Sequence, residues 1–191
     1  MLTTIAAYLL IISFVVIEGR LRRGEKAKSM RAGESDRSST GRLGLAFGLA
    51  FMLMLLAPLL DYFHIAYWAG SWFPGWLGVA LMVTGITLRI WAARVLGRFY
   101  TRTLLTTTDQ RIVEEGPYRL LRHPGYAGSL LVWTGAGLAA CNWAVFLIIT
   151  LTMGISYAYR MRSEEAMLLA QFGQAYRAYS QRTRRIIPFL Y

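Results

Sequence analysis

Gly116-Pro-Tyr-Arg-Leu-Leu-Arg-His-Pro-Gly-Tyr-Ala-Gly128 is the stretch on which the reading of this chain turns. Two prolines and three glycines within it rule out one uninterrupted helix. Behind it, from His123 to Tyr159, runs the longest segment free of Asp, Glu, Lys and Arg. A polar, broken backbone therefore sits where a membrane helix begins. Lipid tolerates such backbone only where protein buries it or where it lines a cavity. Two arginines, a histidine and two tyrosines are fixed there, so this is where chemistry is expected.

The surrounding composition agrees. Of 191 residues, 55% are hydrophobic and only 16% charged, which describes a chain dissolved in lipid. A net charge of +11 would suggest nucleic acid on a water-soluble protein, but its distribution excludes that reading. The 21 Lys and Arg fall in three blocks, Arg20 to Arg42, Arg89 to Arg122 and Arg160 to Arg185. These alternate with apolar runs as cytoplasmic loops do under the positive-inside rule. The single Cys141 and the two distant histidines, His64 and His123, offer no metal site.

Working outward gives an all-α integral membrane protein of about five transmembrane helices with a C-terminal cytosolic helix. Met1–Ile17, without a basic leader or cleavage site, is expected to be a retained first span. Glu18–Arg42 reads as a mobile basic loop and Leu43–Leu60 as a second span. The aromatic link from Asp61 to Trp76 reads as an interfacial belt, with His64 structural within it. Pro74-Gly75 opens a third span to about Leu88, continued by a basic surface segment with Arg89, Arg94, Arg98 and Arg102. His123–Tyr159 is too long for one span and suits a hairpin turning near Cys141-Asn142. Gly128, Gly135, Gly137 and Gly154 would let its two arms approach closely. Leu168, Leu169, Phe172, Tyr176 and Tyr179 then repeat at helical spacing. The expected division is 1–97, the N-terminal spans, and 98–191, a catalytic region. The N-terminus lies outside and the C-terminus inside.

Taken together, Gly116-Pro-Tyr-Arg, Arg122-His-Pro-Gly-Tyr-Ala-Gly128, Arg160 with Glu164-Glu165, Phe172-Gly-Gln-Ala-Tyr-Arg-Ala-Tyr179 and Thr183-Arg with Pro188 resemble the isoprenylcysteine carboxyl methyltransferase family. The broader group includes phospholipid N-methyltransferases. The resemblance covers roughly Arg98 to Tyr191. It implies S-adenosyl-L-methionine as cofactor, in a cytosol-facing pocket of the C-terminal half. The positions that would contact it are Gln110, Arg111, Ile112, Val113, Tyr118, His123, Pro124, Gly125, Tyr126 and Glu164. Arg160 falls on the family's substrate-carboxylate arginine, and Arg122 joins it as a candidate catalytic residue. The chain departs from the family pattern at Thr103, where Gln is common, and at Gln110, where His is common. The implied partners are a lipophilic or prenylated-cysteine substrate and membrane lipids, with no nucleic acid. Small size and short loops point to a prokaryotic inner membrane.

The residue types suit that chemistry. Methyl transfer from a sulfonium needs two reactants held close and in line. A carboxylate acceptor is already ionised at neutral pH and needs no general base, only an arginine fork to orient it. Arg160 and Glu164, four apart, share a helix face, while His123 and Tyr126 would form the opposite wall. The acceptor's tail would enter between spans. The plain structural readings are an i,i+4 pair at a membrane boundary for Arg160 and Glu164, and an ordinary helix start for His123-Pro124. Glu165 is expected to face water or a helix dipole, and Tyr176 and Tyr179 to be packing residues. Three competing functions are an amine-methylating enzyme, an NADPH-dependent sterol or enone reductase, and a membrane protein without activity. The reductase reading expects an acid after the Pro-x-Tyr-x-Gly run, where this chain has Ser129.

Overall fold

The computed structural model describes residues 2–21, 37–68, 72–97 and 112–187, and within them the fold is all-helical. Six α-helices follow in order: α1 Leu2–Leu21, α2 Arg37–Tyr62, α3 Phe73–Leu96, α4 Pro124–Ala139, α5 Trp143–Phe172 and α6 Gln174–Arg182. A 3-10 turn, Gly116–Arg119, precedes α4. Of these, α1, α2, α3 and α5 are long and apolar enough to cross a membrane. With 16 residues, α4 reaches only about 24 Å, less than the ~30 Å of hydrocarbon. It is sheltered instead: most of its side chains are buried against α3 and α5. Exposed Ile5, Leu9, Ile12 and Val16 on α1, and Met52, Leu55 and Leu59 on α2, face outward at helical spacing as lipid-facing residues do.

The helices run past the charges that bound the apolar runs. Glu18 is helical and buried, so α1 does not stop at Ile17. Likewise α2 starts before Leu43, and α3 continues beyond Leu88 through Arg89 and Arg94. A charge ends a hydropathy run; it does not end a helix. Pro58 is accommodated inside α2 near its end, and Pro124 stands in the first turn of α4, where a missing N–H costs nothing.

The closest packing in the molecule joins α3 to α4 through glycines seven apart on each helix. A Cβ on Gly85 would lie 2.5 Å from the Gly128 carbonyl oxygen, and one on Gly135 would lie 2.5 Å from that of Gly78. Gly85 thus faces Gly128 and Gly78 faces Gly135, an antiparallel pairing that lets backbone touch backbone. Expected to join the arms of the α4–α5 pair, these glycines serve α3 instead. Only Gly137 meets α5, against the Phe146 backbone, and Gly154 has nothing within 4 Å of its would-be Cβ. Trp133 fills the centre, 1% exposed, with Phe47 and Phe51 at 5.6 and 5.1 Å between ring centroids.

Between α4 and α5 the chain turns at Cys141, whose φ is 56°. Asn142, fully buried, holds this turn: its Oδ1 accepts from Val145 N at 3.1 Å, capping α5. Its Nδ2 donates to Ile65 O at 2.9 Å and Asp61 Oδ1 at 3.2 Å, tying in the aromatic link. Gly173, at φ 52°, separates α5 from α6. The expected cytosolic helix is therefore first a continuation of α5 and only then a separate piece.

Candidate functional site

His123 caps α4 with a non-helical φ of −125° and ψ of 54°. Its carbonyl accepts from Tyr126 N and Ala127 N, both at 3.0 Å. This tight start places the His123 and Tyr126 rings in a stack, with centroids 5.5 Å apart and planes inclined by 13°. Tyr157 of α5 packs on the other side of Tyr126 at 5.3 Å.

Tyr126 joins the two charged residues of α5. Its hydroxyl donates to Glu164 Oε2 at 2.7 Å and accepts from Arg160 Nε at 3.3 Å. Arg160 is 3% exposed, and its Nη1 donates to Ser39 Oγ at 3.0 Å and Thr40 Oγ1 at 2.7 Å, in the first turns of α2. Beside them the Arg42 guanidinium lies over the Tyr159 ring, 4.2 Å from its centroid. Ser39, Thr40 and Arg42, read from sequence as loop, are thus helical and roof the Arg160 end of the site. Glu164 keeps one oxygen open: its Oε1 has no partner among the described residues, and its side chain is 26% exposed.

Glu165 is not the water-facing residue that was expected. It accepts from Arg122 Nε at 2.9 Å, Arg185 Nη2 at 2.8 Å and Arg185 Nε at 3.1 Å, and contacts His123 Nε2 at 3.3 Å. The main chain beneath repeats the join. Arg122 N donates to Arg184 O at 2.7 Å, Arg184 N to Leu120 O at 2.9 Å, and His123 N to Arg185 O at 3.0 Å. Arg184, whose role was open, therefore works through its backbone. Arg122 also needs correcting. Besides Glu165 it donates from Nη1 to Ser180 O at 2.7 Å and Thr183 O at 2.6 Å, so its donors hold the end of α6. It braces the wall; Arg160 stands alone as the acceptor-side cation among the candidates.

Tyr118, Val113 and Ala92 form a separate small cluster with Val95 and Leu96. Tyr179 donates its hydroxyl to Tyr118 O at 2.9 Å, pinning the 3-10 turn to α6. Burial pushes the Tyr179 hydroxyl above the ordinary tyrosine range, partly offset by Arg122, so it stays a neutral donor. Ile112 and Val113 are irregular rather than strand. Gln110, Arg111 and Thr103 lie outside the described residues.

Arg89 was expected at the membrane surface but points inward. Its Nε donates to Glu18 Oε1 at 2.8 Å, Nη2 to Glu18 Oε2 at 3.2 Å, and Nη1 to Gly125 O at 2.7 Å. In sequence these two charges sit in separate basic blocks, and only packing of α1 on α3 reveals them as a pair.

Comparison with known proteins agrees with this arrangement. The model of the family described as phospholipid methyltransferase matches residues 73–175. A probable protein-S-isoprenylcysteine O-methyltransferase from Oryza sativa subsp. indica is 31% identical over 62% of this chain and 63% of its own length. The cobalt-zinc-cadmium resistance protein CzcN of Cupriavidus metallidurans is 32% identical over 71% of this chain and 59% of its own. The solved structure of a eukaryotic intramembrane Ras methyltransferase, isoprenylcysteine carboxyl methyltransferase, superposes with a TM-score of 0.62 at 24% identity. That match covers 77% of this chain and 52% of the solved one, and it shows a shared fold. The chain thus spans under two thirds of the length of the rice relative. With more than half of its residues inside the family match, a bundle of membrane-crossing helices and the Arg-His-Pro-Gly-Tyr turn at the start of α4, this chain is an integral membrane protein of the phospholipid methyltransferase family, the broader group that holds the isoprenylcysteine carboxyl methyltransferases it resembles.

Proposed function

We propose that the chain is a membrane methyltransferase that uses S-adenosyl-L-methionine and methylates the carboxylate of an apolar or lipid-linked acceptor, as in isoprenylcysteine O-methylation. The observation that carries this reading is the buried guanidinium of Arg160, joined through Tyr126 to the half-open carboxylate of Glu164. A buried arginine attracts an anionic acceptor and repels an ammonium. An amine acceptor would also need a base, and both Glu165 oxygens are already held by cations. The carboxylate reading is therefore favoured over phospholipid N-methylation.

The residues present fit the cofactor. S-adenosylmethionine carries ribose hydroxyls and an ammonium, and Glu164 Oε1 is a carboxylate oxygen able to accept from either. Ile112, Val113, Tyr118, His123, Pro124, Gly125 and Tyr126 would line the rest of the pocket, with Gln110 and Arg111 at its entrance. What the cofactor supplies when bound is an electrophilic methyl on a sulfonium. The protein's part is to orient. Arg160 would grip the acceptor carboxylate in two-point fashion, Glu164 would fix the cofactor, and the Tyr126 hydroxyl would hold the two side chains in register. The basic blocks at this end of the bundle support a cytoplasmic site. Short loops support a prokaryotic inner membrane.

The test is ligand binding to the detergent-purified protein, comparing S-adenosylmethionine, S-adenosylhomocysteine and NADPH. Binding of the first two, lost in Glu164→Ala, is expected; binding of NADPH alone would move the protein to the reductases. Arg160→Ala should then abolish methyl transfer to a prenylated cysteine while sparing cofactor binding. Unchanged turnover would remove Arg160 from the reaction.

A further inference from the structure

We infer that Arg89, charge-balanced by Glu18 of α1, is a positioning residue for the His123–Tyr126 turn, so that the N-terminal helix belongs to the catalytic unit. The inference rests on the cofactor reading of that turn given above. It starts from an expense: an ionisable pair among membrane helices is costly and is kept where it does something apolar packing cannot. Both members are largely buried, with side chains 11% and 10% exposed. Two of the three Arg89 nitrogens bind Glu18, and the third, Nη1, donates to the Gly125 carbonyl at 2.7 Å.

That third contact is directed at the turn itself. Gly125 is the residue before Tyr126, and a Cβ there would stand 3.3 Å from Arg89 Nη1, so a bare backbone suits this approach. His123 is held from the opposite side by the Arg185 carbonyl and by Glu165. The turn is thus clamped between the C-terminal strap and Arg89. Its output is the Tyr126 hydroxyl, which must reach Glu164 and Arg160 together at 2.7 and 3.3 Å. A shift of about 1 Å breaks the longer bond, and misplacement of that size costs on the order of 100-fold in a preorganised site. Glu18 lies outside the residues matched by the family model, so this support comes from the part of the chain that resemblance does not describe.

A purely structural pair and a positioning pair respond differently when both charges are removed. Replacing a buried ion pair by apolar or neutral groups of similar volume is often neutral for stability. We expect full-length Glu18→Gln/Arg89→Met in nanodiscs to melt within a few degrees of wild type. It should bind S-adenosylhomocysteine about 100-fold more weakly, with faster amide hydrogen exchange over residues 121–127. Wild-type affinity and wild-type protection in that folded variant would overturn the inference. Should the double variant fail to fold, Arg89→Lys keeps the charge pair but cannot reach Glu18 and Gly125 together. It should weaken binding about tenfold, a smaller loss than the full misplacement, and an unchanged affinity is the refuting result. If wild type binds no S-adenosyl ligand, the proposed function falls, while exchange over 121–127 still decides whether Arg89 holds the turn.

Discussion

Tyr126→Phe isolates the bridge at the centre of the site. It removes one oxygen and keeps the ring, so the stacks on His123 and Tyr157 persist. The lost hydroxyl contacts two charged groups, and a hydrogen bond to a charged partner contributes about 1.5–3 kcal/mol. Glu164 is 26% exposed and water can replace the donor there, so the lower end applies to it. Arg160, at 3% exposure, loses its Nε partner but keeps Ser39 and Thr40. A loss near 1.4 kcal/mol in holding Glu164 corresponds to about tenfold weaker binding of S-adenosylhomocysteine. Turnover should fall further than binding, because the guanidinium that orients the acceptor is loosened too. Calorimetry on the purified variant reads the first effect, and a KM-against-kcat comparison with a prenylated cysteine reads the second. A folded Tyr126→Phe with wild-type affinity and wild-type kcat would show that the bridge holds nothing that matters.

Other consequences can be checked on stability alone. Glu165→Gln removes the counter-charge of Arg122 and Arg185, and since these side chains are 13% and 27% exposed the loss should be about 2–3 kcal/mol, below the fully buried case; a lowered melting point and faster trimming of the C-terminus would register it. Gly85→Ala drives a Cβ into the Gly128 carbonyl and should cost about 1–3 kcal/mol by forcing α3 from α4, whereas Gly154→Ala, with open space around it, should be neutral or slightly stabilising in the same thermal assay. Asn142→Ala strips the cap of α5 and leaves Ile65 O without its donor, a loss of about 2 kcal/mol that denaturation should detect, with ligand affinity unchanged.

Which of these features the sequence disclosed follows from their range. The α4 start, the turn at Cys141-Asn142 and the Arg160/Glu164 spacing are local patterns, and local patterns survive in one dimension. Pairings across helices do not. Glu18 and Arg89 each look like part of a loop or a basic stripe, because hydropathy counts a charge without showing its partner. Glu165 looked like a duplicate of Glu164, yet one residue along a helix turns a side chain by about 100°, and that turn sends Glu165 to the C-terminal strap. Arg122 was grouped with Arg160 on charge alone, and its carbonyl partners at Ser180 and Thr183 could not be read from it. The α3–α4 contact did leave a trace. Gly78 and Gly85, and Gly128 and Gly135, share the same spacing of seven, a signal that weighing glycines only within the α4–α5 hairpin misses.

The position of Arg160 along α5 bears on how such a site could serve reactants from two phases. It stands seventeen residues after Trp143 in an unbroken helix, a rise of about 26 Å against roughly 30 Å of hydrocarbon. Its guanidinium thus lies at the hydrocarbon edge, and the remaining turns of α5, with Glu164 and Glu165, extend beyond it. A polar cofactor arriving from water would meet the open oxygen of Glu164 first, and an acceptor anchored by its tail would bring its carboxylate to the depth of Arg160. The broken backbone from Gly116 to Pro124 is what permits this, because a continuous helix would carry its own side chains through that layer. Held instead by Arg185, Glu165 and Arg89, the turn keeps its backbone satisfied where lipid alone would not. Loss of that support should therefore weaken cofactor binding before it unfolds the bundle, since α3, α4 and α5 remain packed through Gly78, Gly85, Gly137 and Trp133.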